Sequence, residues 1–404
     1  MKERTPAQSA PWVLVAGDFR PLGGMDKSNF MLAQYLVEQN IPVFLVAHSV
    51  DPALRGRAGV QACIVPKFAN SYLLAEGLLR RRAREVITDV CRRWPNARVL
   101  ANGGNCDWPD INWVHCVHHA WPCRDQGAPL WSRAKNRLGK FLARRSEQCA
   151  IARASLVLAN SERTRDDLIR LLQVKPERVH AVYPGADPES RPPSSEERSA
   201  ARQWLGFSPE RPLIAFIGGL GHDHNKGFDT LWSVFRELCR ITDWDANLVV
   251  AGAGRNLPDW RFQIAASDLE PRVRMLGVTD RVPEVLAAAD LLVSPVRYEG
   301  FGMNVQEAIC RGVPAMVTAS AGVAEHYPDE LRHLLIPNPD NCRILAEMLR
   351  RWRKRMPETR EAFLALGSYL RRYTWRDMAE RIVNIAADSV VEVEEEIAKV
   401  GSEC

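Results

Sequence analysis

No apolar run in this 404-residue chain reaches the roughly 18 residues that a membrane-spanning helix requires. The N-terminal stretch from Met1 to Pro11 lacks a signal-peptide core, and the apolar run behind it, Trp12 to Ala16, is short. The ten cysteines are scattered without paired spacing, which argues against a disulfide framework and for a reducing compartment. These absences together point to a cytoplasmic protein. No recognised nucleic-acid-binding module accompanies the basic residues, so nucleic acid is not expected as a partner.

What the chain does contain is enough for two domains of about 200 residues each, with 46% hydrophobic residues to fill two cores. Its net charge of +5 hides an asymmetry. Residues 1–200 carry 29 Lys+Arg against 20 Asp+Glu, a net of +9, and residues 201–404 carry 25 against 29, a net of −4. A basic first half and an acidic second half suggest separate tasks, and an anionic membrane surface is a candidate partner for the basic one.

Short apolar runs alternate with helical patterns through both halves. In the first, strands are expected at Trp12–Ala16, Pro42–Ala47, Ala97–Ala101, Ile111–Val117, Ser155–Ala159 and Val179–Val182. A helix is expected from about Ser28 to Glu38, and a long basic helix from Trp131 to Arg153. The latter carries Arg133, Lys135, Arg137, Lys140, Arg144 and Arg145, with Trp131, Leu138, Phe141 and Leu142 between them. Two readings fit it: a helix lying on an anionic membrane, or one with a solvated charged face and a core-facing apolar stripe. Arg80 opens another basic stretch that ends near Trp94, and the segments 48–75 and 104–130 read as loops.

Pro188 to Ser195, rich in Pro and Ser, reads as a linker. Beyond it, strands are expected at Leu213–Ile217, Leu248–Ala251, Val273–Leu276, Leu291–Ser294 and Ala315–Thr318, with helices at Phe228–Arg240 and Val282–Ala289. The last third reads as helical, with an acidic stretch at Glu392–Ile397 and a frayed end. Such alternation builds parallel sheets covered by helices on both faces, so the fold class is α/β with two Rossmann-like domains. The expected boundaries are 1–188, 189–372 and a closing segment, 373–404.

The chemistry concentrates in Tyr298-Glu-Gly-Phe-Gly-Met-Asn-Val-Gln-Glu307, which follows an apolar strand and runs into a helix ending near Gly312. Glu299 and Glu307 bracket a Gly-Phe-Gly turn. Glycines let a backbone approach a ligand closely, and a helix N-terminus attracts an anion such as a diphosphate. Carboxylates beside it accept hydrogen bonds from sugar or ribose hydroxyls. An ordinary strand–turn–helix with solvated acids is the alternative. The whole string, with Glu299, Gly300, Phe301, Gly302, Glu307, Ala308 and the trailing Gly312-Val313-Pro314, resembles the E-x7-E signature of retaining glycosyltransferases, above all family 4.

The resemblance covers nearly the whole chain. It implies the GT-B architecture, two Rossmann-like domains facing across a cleft, and a nucleotide diphosphate sugar as donor. It implies that Glu307 receives the ribose hydroxyls and that Glu299 faces the donor sugar or its phosphate side. The backbone amides of Phe301, Gly302 and Met303 would reach the sugar and diphosphate. Gly23 and Gly24, directly after the first strand and helix-proximal, resemble the family's first donor loop, although glycine pairs also mark ordinary turns. Lys226, in Gly218-Gly-Leu-Gly-His-Asp-His-Asn-Lys-Gly227, resembles the lysine of the phosphate-binding loop, where an ammonium steadies the departing diphosphate. Gly218 opens that loop, and Gly219 stands where the family usually has an Arg, so one expected cation is missing.

His115, His118 and His119 close the Ile111–Val117 segment. Family members often place a His or Asp at a comparable strand end, facing the anomeric carbon, and His118 matches that position best; His115 is the alternative. Tyr373 to Ile382 resembles the family's closing helix, which typically returns to the first domain. A zinc reading of Cys106, His115, Cys116, His118, His119 and Cys123 lacks the close Cys-x2-Cys pairing of structural sites. No Asp-x-Asp pair stands where a divalent metal would hold a diphosphate. The expectation is therefore metal-independent hexosyl transfer, without a cofactor, to a glycan or lipid-linked acceptor. A nucleotide-sugar epimerase of the same fold and a non-catalytic nucleotide-sugar-binding module are the alternatives.

Overall fold

The computed structural model describes residues 10–67, 72–122, 130–241 and 243–402. The chain divides into two compact units. One comprises Met1–Ala120, Ala134–Gly185 and Thr374–Cys404; the other comprises Trp121–Arg133 and Ala186–Tyr373.

The first unit holds β1 (Trp12–Val15), β2 (Asp18–Phe19), β3 (Val43–Ala47), β4 (Ser49–Val50), β5 (Val60–Ile64), β6 (Arg98–Asn102), β7 (Ile111–Val114), β8 (Leu156–Ala159) and β9 (Val179–Ala181). Seven of them form a parallel sheet in the order β5-β3-β1-β6-β7-β8-β9, while β2 and β4 pair separately. Every residue of β1 and β3 is buried, because helices cover both faces of the sheet. Each Val or Leu sealed there contributes about 1.5–3 kcal/mol relative to exposure. The chain fills the sheet from β1 outward through β3 to β5, then returns to the other side of β1 with β6. That reversal makes a switch point between β1 and β6, where open α/β sheets bind ligands beyond the carboxyl ends of their strands.

The second unit repeats the plan with β10 (Leu213–Ile217), β11 (Asn247–Ala251), β12 (Val273–Gly277), β13 (Leu291–Ser294), β14 (Ala315–Thr318) and β15 (Leu335–Ile336). Its sheet runs β12-β11-β10-β13-β14-β15, so the switch point lies between β10 and β13. The preceding helix, Ser195–Leu205, starts from a capping box: Ser194 Oγ accepts from the Glu197 amide at 3.2 Å, and the Glu197 carboxylate accepts from the Ser194 amide at 2.7 Å. The helix Trp375–Ser402 belongs to the first unit, where Lys27 lies 5.4 Å from the Trp375 ring and Arg98 reaches the carbonyl of Ala386.

Several elements differ from the sequence expectations. The first helix begins at Met25 rather than near Ser28. β7 stops at Val114, so His115 lies beyond the strand; β8, its partner, ends opposite at Ala159, and the Asn160 side-chain amide takes the His115 carbonyl at 2.9 Å. The stretch 48–75, read as loop, contains the edge strand β5, whose half-exposed pattern hides the alternation expected of a core strand. The basic stretch Arg80 to Trp94 lies almost wholly within one long helix, Tyr72–Arg93. The acidic residues 392–397 continue the closing helix to Ser402. Residues 68–71 and 123–129 of the two segments read as loops, and with them Cys123, lie outside the described residues.

Candidate active site

In the second unit the two loops at the switch point are fastened to one another. The loop after β10 carries Gly218, Gly219 and Lys226; the turn after β13 carries Glu299, Gly300, Phe301 and Gly302. Asn225 bridges them, donating to the Tyr298 carbonyl at 2.9 Å and accepting from the Tyr298 amide at 3.0 Å. Asn304 ties the following helix back to β10 by donating to the Ile217 carbonyl at 2.8 Å. Arg297, its side chain only 5% exposed, grips Asp229 at 2.7 Å and Asp340 at 2.8 Å. These bonds bring Lys226 and Glu299 into direct contact, as an ion pair between Nζ and Oε2. Both side chains keep a solvent-facing surface, 32% and 21% exposed respectively.

Gly302 caps the helix Met303–Cys310 at φ +117°, and no side chain caps that N-terminus. The dihedral favours glycine, and a Cβ at Gly302 would stand 3.0 Å from Val323 Cγ1, which would have to give by a few tenths of an ångström. Gly227, at φ +75°, plays the same part at the start of the helix Phe228–Leu238: a Cβ there would lie 1.9 Å from the Pro295 carbonyl oxygen. Two uncapped helix N-termini thus open beside the Lys226–Glu299 pair, with partial positive charge suited to an anion. Phe301 is buried and supports the turn from behind, its ring 6.0 Å from His326. Met303 opens the helix, and Glu307 lies a turn further on, half-buried. Gly219 differs from its neighbours: a Cβ there would find its nearest atom, the Ala253 oxygen, at 4.0 Å, so geometry does not demand glycine.

The first unit places Gly23, at φ +90°, and Gly24 between β2 and the helix Met25–Glu38. Beside them lies a charged cluster that the sequence reading missed. Asp18 accepts from Ser49 Oγ at 2.7 Å and from Lys67 Nζ at 3.1 Å, and Arg20 Nε donates to Ser49 Oγ at 2.9 Å. Burial and the nearby charge of Asp18 raise the Asp26 pKa to about 6, despite Arg20 and Lys67. Two acids flanking a glycine pair after the first strand were the available signal.

The three histidines separate sharply. His115 packs against Trp113, with ring centroids 4.4 Å apart, and burial of its ring lowers its pKa to about 3. His118 is instead held by Glu147, a residue sequence reasoning passed over: the carboxylate takes Nδ1 at 2.9 Å and the His118 amide at 3.0 Å. His119 Nδ1 is 3.4 Å from the same carboxylate. The signal was present, since Glu147 is the lone acid in the basic helix Leu130–Arg153.

Among the described residues, no group of three or more His, Cys, Asp or Glu side chains is placed to hold a metal ion. An Asp-x-Asp spacing does occur at Asp243–Asp245. It stands at the amino end of β11, away from the switch-point loops, and Asp245 is taken by Arg353 at 2.6 Å. No helix among the described residues is long and apolar enough to cross a membrane.

Two parallel-sheet, Rossmann-like units with their loops arranged in this way are the GT-B architecture of glycosyltransferases. Residues 22–190 match Glycosyltransferase Family 4, and residues 211–354 match glycosyl transferases group 1. Each half of the chain thus matches a model of the family 4, group 1 glycosyltransferases. Among curated relatives, it is 30% identical over 257 residues to a D-inositol 3-phosphate glycosyltransferase of Saccharomonospora viridis, covering 60% of this chain and 58% of that one. It is 28% identical over 224 residues to an alpha-D-kanosaminyltransferase of Streptomyces kanamyceticus, covering 55% and 56%. The chain thus spans about half the length of the curated relatives it matches. Among solved structures, WaaG, a glycosyltransferase involved in lipopolysaccharide biosynthesis, shares the fold at a TM-score of 0.68 and 19% identity, over 93% of this chain and 99% of that one. Anabaena HepE in complex with UDP-glucose does so at 0.69 and 17%, over 94% and 99%.

Proposed function

We propose that this chain is a retaining hexosyltransferase that moves a sugar from a UDP- or GDP-sugar to a glycan or lipid-linked acceptor without a metal ion. The observation that carries this reading is the Lys226–Glu299 pair between two uncapped helix N-termini at the β10/β13 switch point. A diphosphate entering there meets the ammonium and both helix ends, which stabilise charge as the anomeric C–O bond breaks. Glu307 receives the ribose, and Glu299 turns to the sugar as the phosphate takes Lys226. The family resemblance gives His118 a part in the transfer. The acceptor oxygen attacks on the same face, and the leaving phosphate takes its proton, so no strong protein base is required. The family match supports the retaining outcome, and HepE, whose fold this chain shares, is known with UDP-glucose.

Thermal stabilisation by a panel of nucleotides and nucleotide sugars tests the donor site, because a ligand of the folded state raises its stability. A shift with a UDP or GDP compound, lost in Lys226→Ala and Glu307→Ala, is expected; no shift with any member counts against the reading. Nucleotide release only when acceptor is present separates transfer from epimerisation, and the anomeric configuration of the product decides retention. Equal rates in a chelator and in added manganese are expected.

A peripheral membrane site on the basic helix is favoured by a separate observation. Leu138, Phe141 and Leu142 are not a core-facing stripe: they are 56%, 59% and 38% exposed, beside Lys135, Arg137 and Arg145. An apolar ridge flanked by cations suits an anionic lipid surface. Binding to anionic but not neutral vesicles at low salt is the expected outcome; binding to neither removes the site.

A further inference from the structure

The helix Leu130–Arg153 is strongly basic, yet its single acid is buried: the Glu147 side chain is 1% exposed. A buried carboxylate needs partners, and Glu147 finds them on the segment after β7. Its two oxygens meet the His118 backbone amide at 3.1 and 3.0 Å, His118 Nδ1 at 2.9 Å and His119 Nδ1 at 3.4 Å. Arg144, three residues earlier on the same helix, donates from Nε to the His118 carbonyl at 3.1 Å. His118 is therefore held at its amide, its carbonyl and one ring nitrogen. Its side chain is still 38% exposed.

The consequence follows from hydrogen-bond chemistry. An ionised carboxylate only accepts, so Nδ1 must carry a proton and donate it. The other nitrogen, Nε2, is left to serve whatever occupies the site. We propose that Glu147 is a positioning residue that holds His118 as an imidazolium, with Nε2–H turned outward to donate to a substrate oxygen. This rests on the reading above that His118 takes part in the transfer.

The surrounding charges agree. Burial alone would depress the His118 pKa, as it does for His115, but the hydrogen bond and charge of Glu147 raise it. Glu76, from the helix Tyr72–Arg93, adds to that rise, and Arg144 opposes it. Burial raises the Glu76 pKa in turn, against the charges of His118, Arg80 and His48. An imidazolium has no lone pair for proton abstraction. Its N–H can hold a sugar hydroxyl in place or steady negative charge, which matches a transfer in which the leaving phosphate takes the acceptor's proton.

The direct test is the nitrogen chemical shifts of the histidine side chains in the full chain, with His118→Gln to assign the His118 signals. At neutral pH, both His118 nitrogens are expected to carry protons; a neutral ring in either tautomer overturns the proposal. Glu147→Gln keeps an acceptor but removes the charge. The His118 titration midpoint should then fall, because the charge that raises it is gone while burial still lowers it. The loss of transfer activity at alkaline pH should set in correspondingly earlier, and Glu147→Asp should restore much of the wild-type profile. An unmoved midpoint overturns the positioning role. A midpoint that moves without any change in the activity profile overturns the role of His118 in transfer, whereas donor stabilisation by nucleotide sugars would survive. If Glu147→Gln does not fold, the wild-type nitrogen shifts still decide.

Discussion

The two units build ligand edges of different character from the same sheet plan. In the second, the edge is mechanically fixed: Asn225, Arg297 and Asn304 fasten its loops, Gly227 has no room for a Cβ, and Gly302 holds a left-handed dihedral that strains any side chain. In the first, the edge is electrostatically poised: Asp26 and His118 are both shifted by burial and neighbouring charge, while Gly23 sits in open space. A rigid edge suits a ligand part that does not vary, such as a diphosphate. A titratable edge suits the discrimination and positioning of reacting groups.

The largest effect that can break this contrast is at Lys226. Lys226→Ala should lower kcat/KM by about 10²- to 10³-fold, the usual scale for losing a group that stabilises developing charge. Initial rates across donor concentrations check it, and a change of only a few-fold would mean that the helix ends suffice without the ammonium.

Paired glycine substitutions sharpen the contrast next. Gly302→Ala forces φ +117° on a side chain and drives its Cβ to 3.0 Å from Val323, whereas Gly23→Ala at φ +90° meets nothing within 4 Å. Gly23→Ala should cost roughly 1–2 kcal/mol, the price of a left-handed conformation, and Gly302→Ala should cost more. Denaturant melts of both variants measure the difference; equal losses would contradict a mechanically fixed second edge.

At Gly219 the fixed edge has a gap. Because there is room for a side chain, Gly219→Arg should leave stability within about 0.5 kcal/mol. A charge-assisted contact to the diphosphate should tighten nucleotide binding by up to about tenfold at low salt. Calorimetry at two ionic strengths reads both the gain and its screening.

The smallest effect concerns the poised edge. The Asp26 pKa is raised from 3.8 to about 6, so the folded state binds this proton more tightly than the unfolded chain. Stability from this group is present at low pH and is lost as pH rises from about 4 through about 6. Asp26→Asn should therefore stabilise the protein above about pH 6 by about 1 kcal/mol, after allowing for partial solvent screening, and the gain should vanish below about pH 4. Melting temperatures across that range check the sign.

The legibility of the sequence follows the same divide. Strands β1, β3, β10 and β13 are apolar runs bounded by turn residues, so local pattern is enough to find them. The string from Glu299 to Glu307 was legible because its glycines, acids and helix start are consecutive. Its contact with Lys226 was not legible, because the two lie 73 residues apart and only the fold joins them as an ion pair. By contrast, β5 is an edge strand whose exposed positions are Gln61 and Ile64, so it shows no clean alternation and resembles a loop. The role of Glu147 was hidden because its partner His118 lies 29 residues away, on the far side of a strand end.

What the sequence by itself determined was therefore local: the alternation that makes two parallel sheets, the glycine turns and the helix starts that attract an anion. Those depend on backbone preferences and hydrophobic period, which neighbouring residues fix among themselves. Only the tertiary structure decided which of three histidines has its ring buried and which is held by a buried acid. It also decided that Leu138, Phe141 and Leu142 face outward rather than into the core. Burial and charge pairing depend on what the fold brings alongside, and residues distant in the chain supply it.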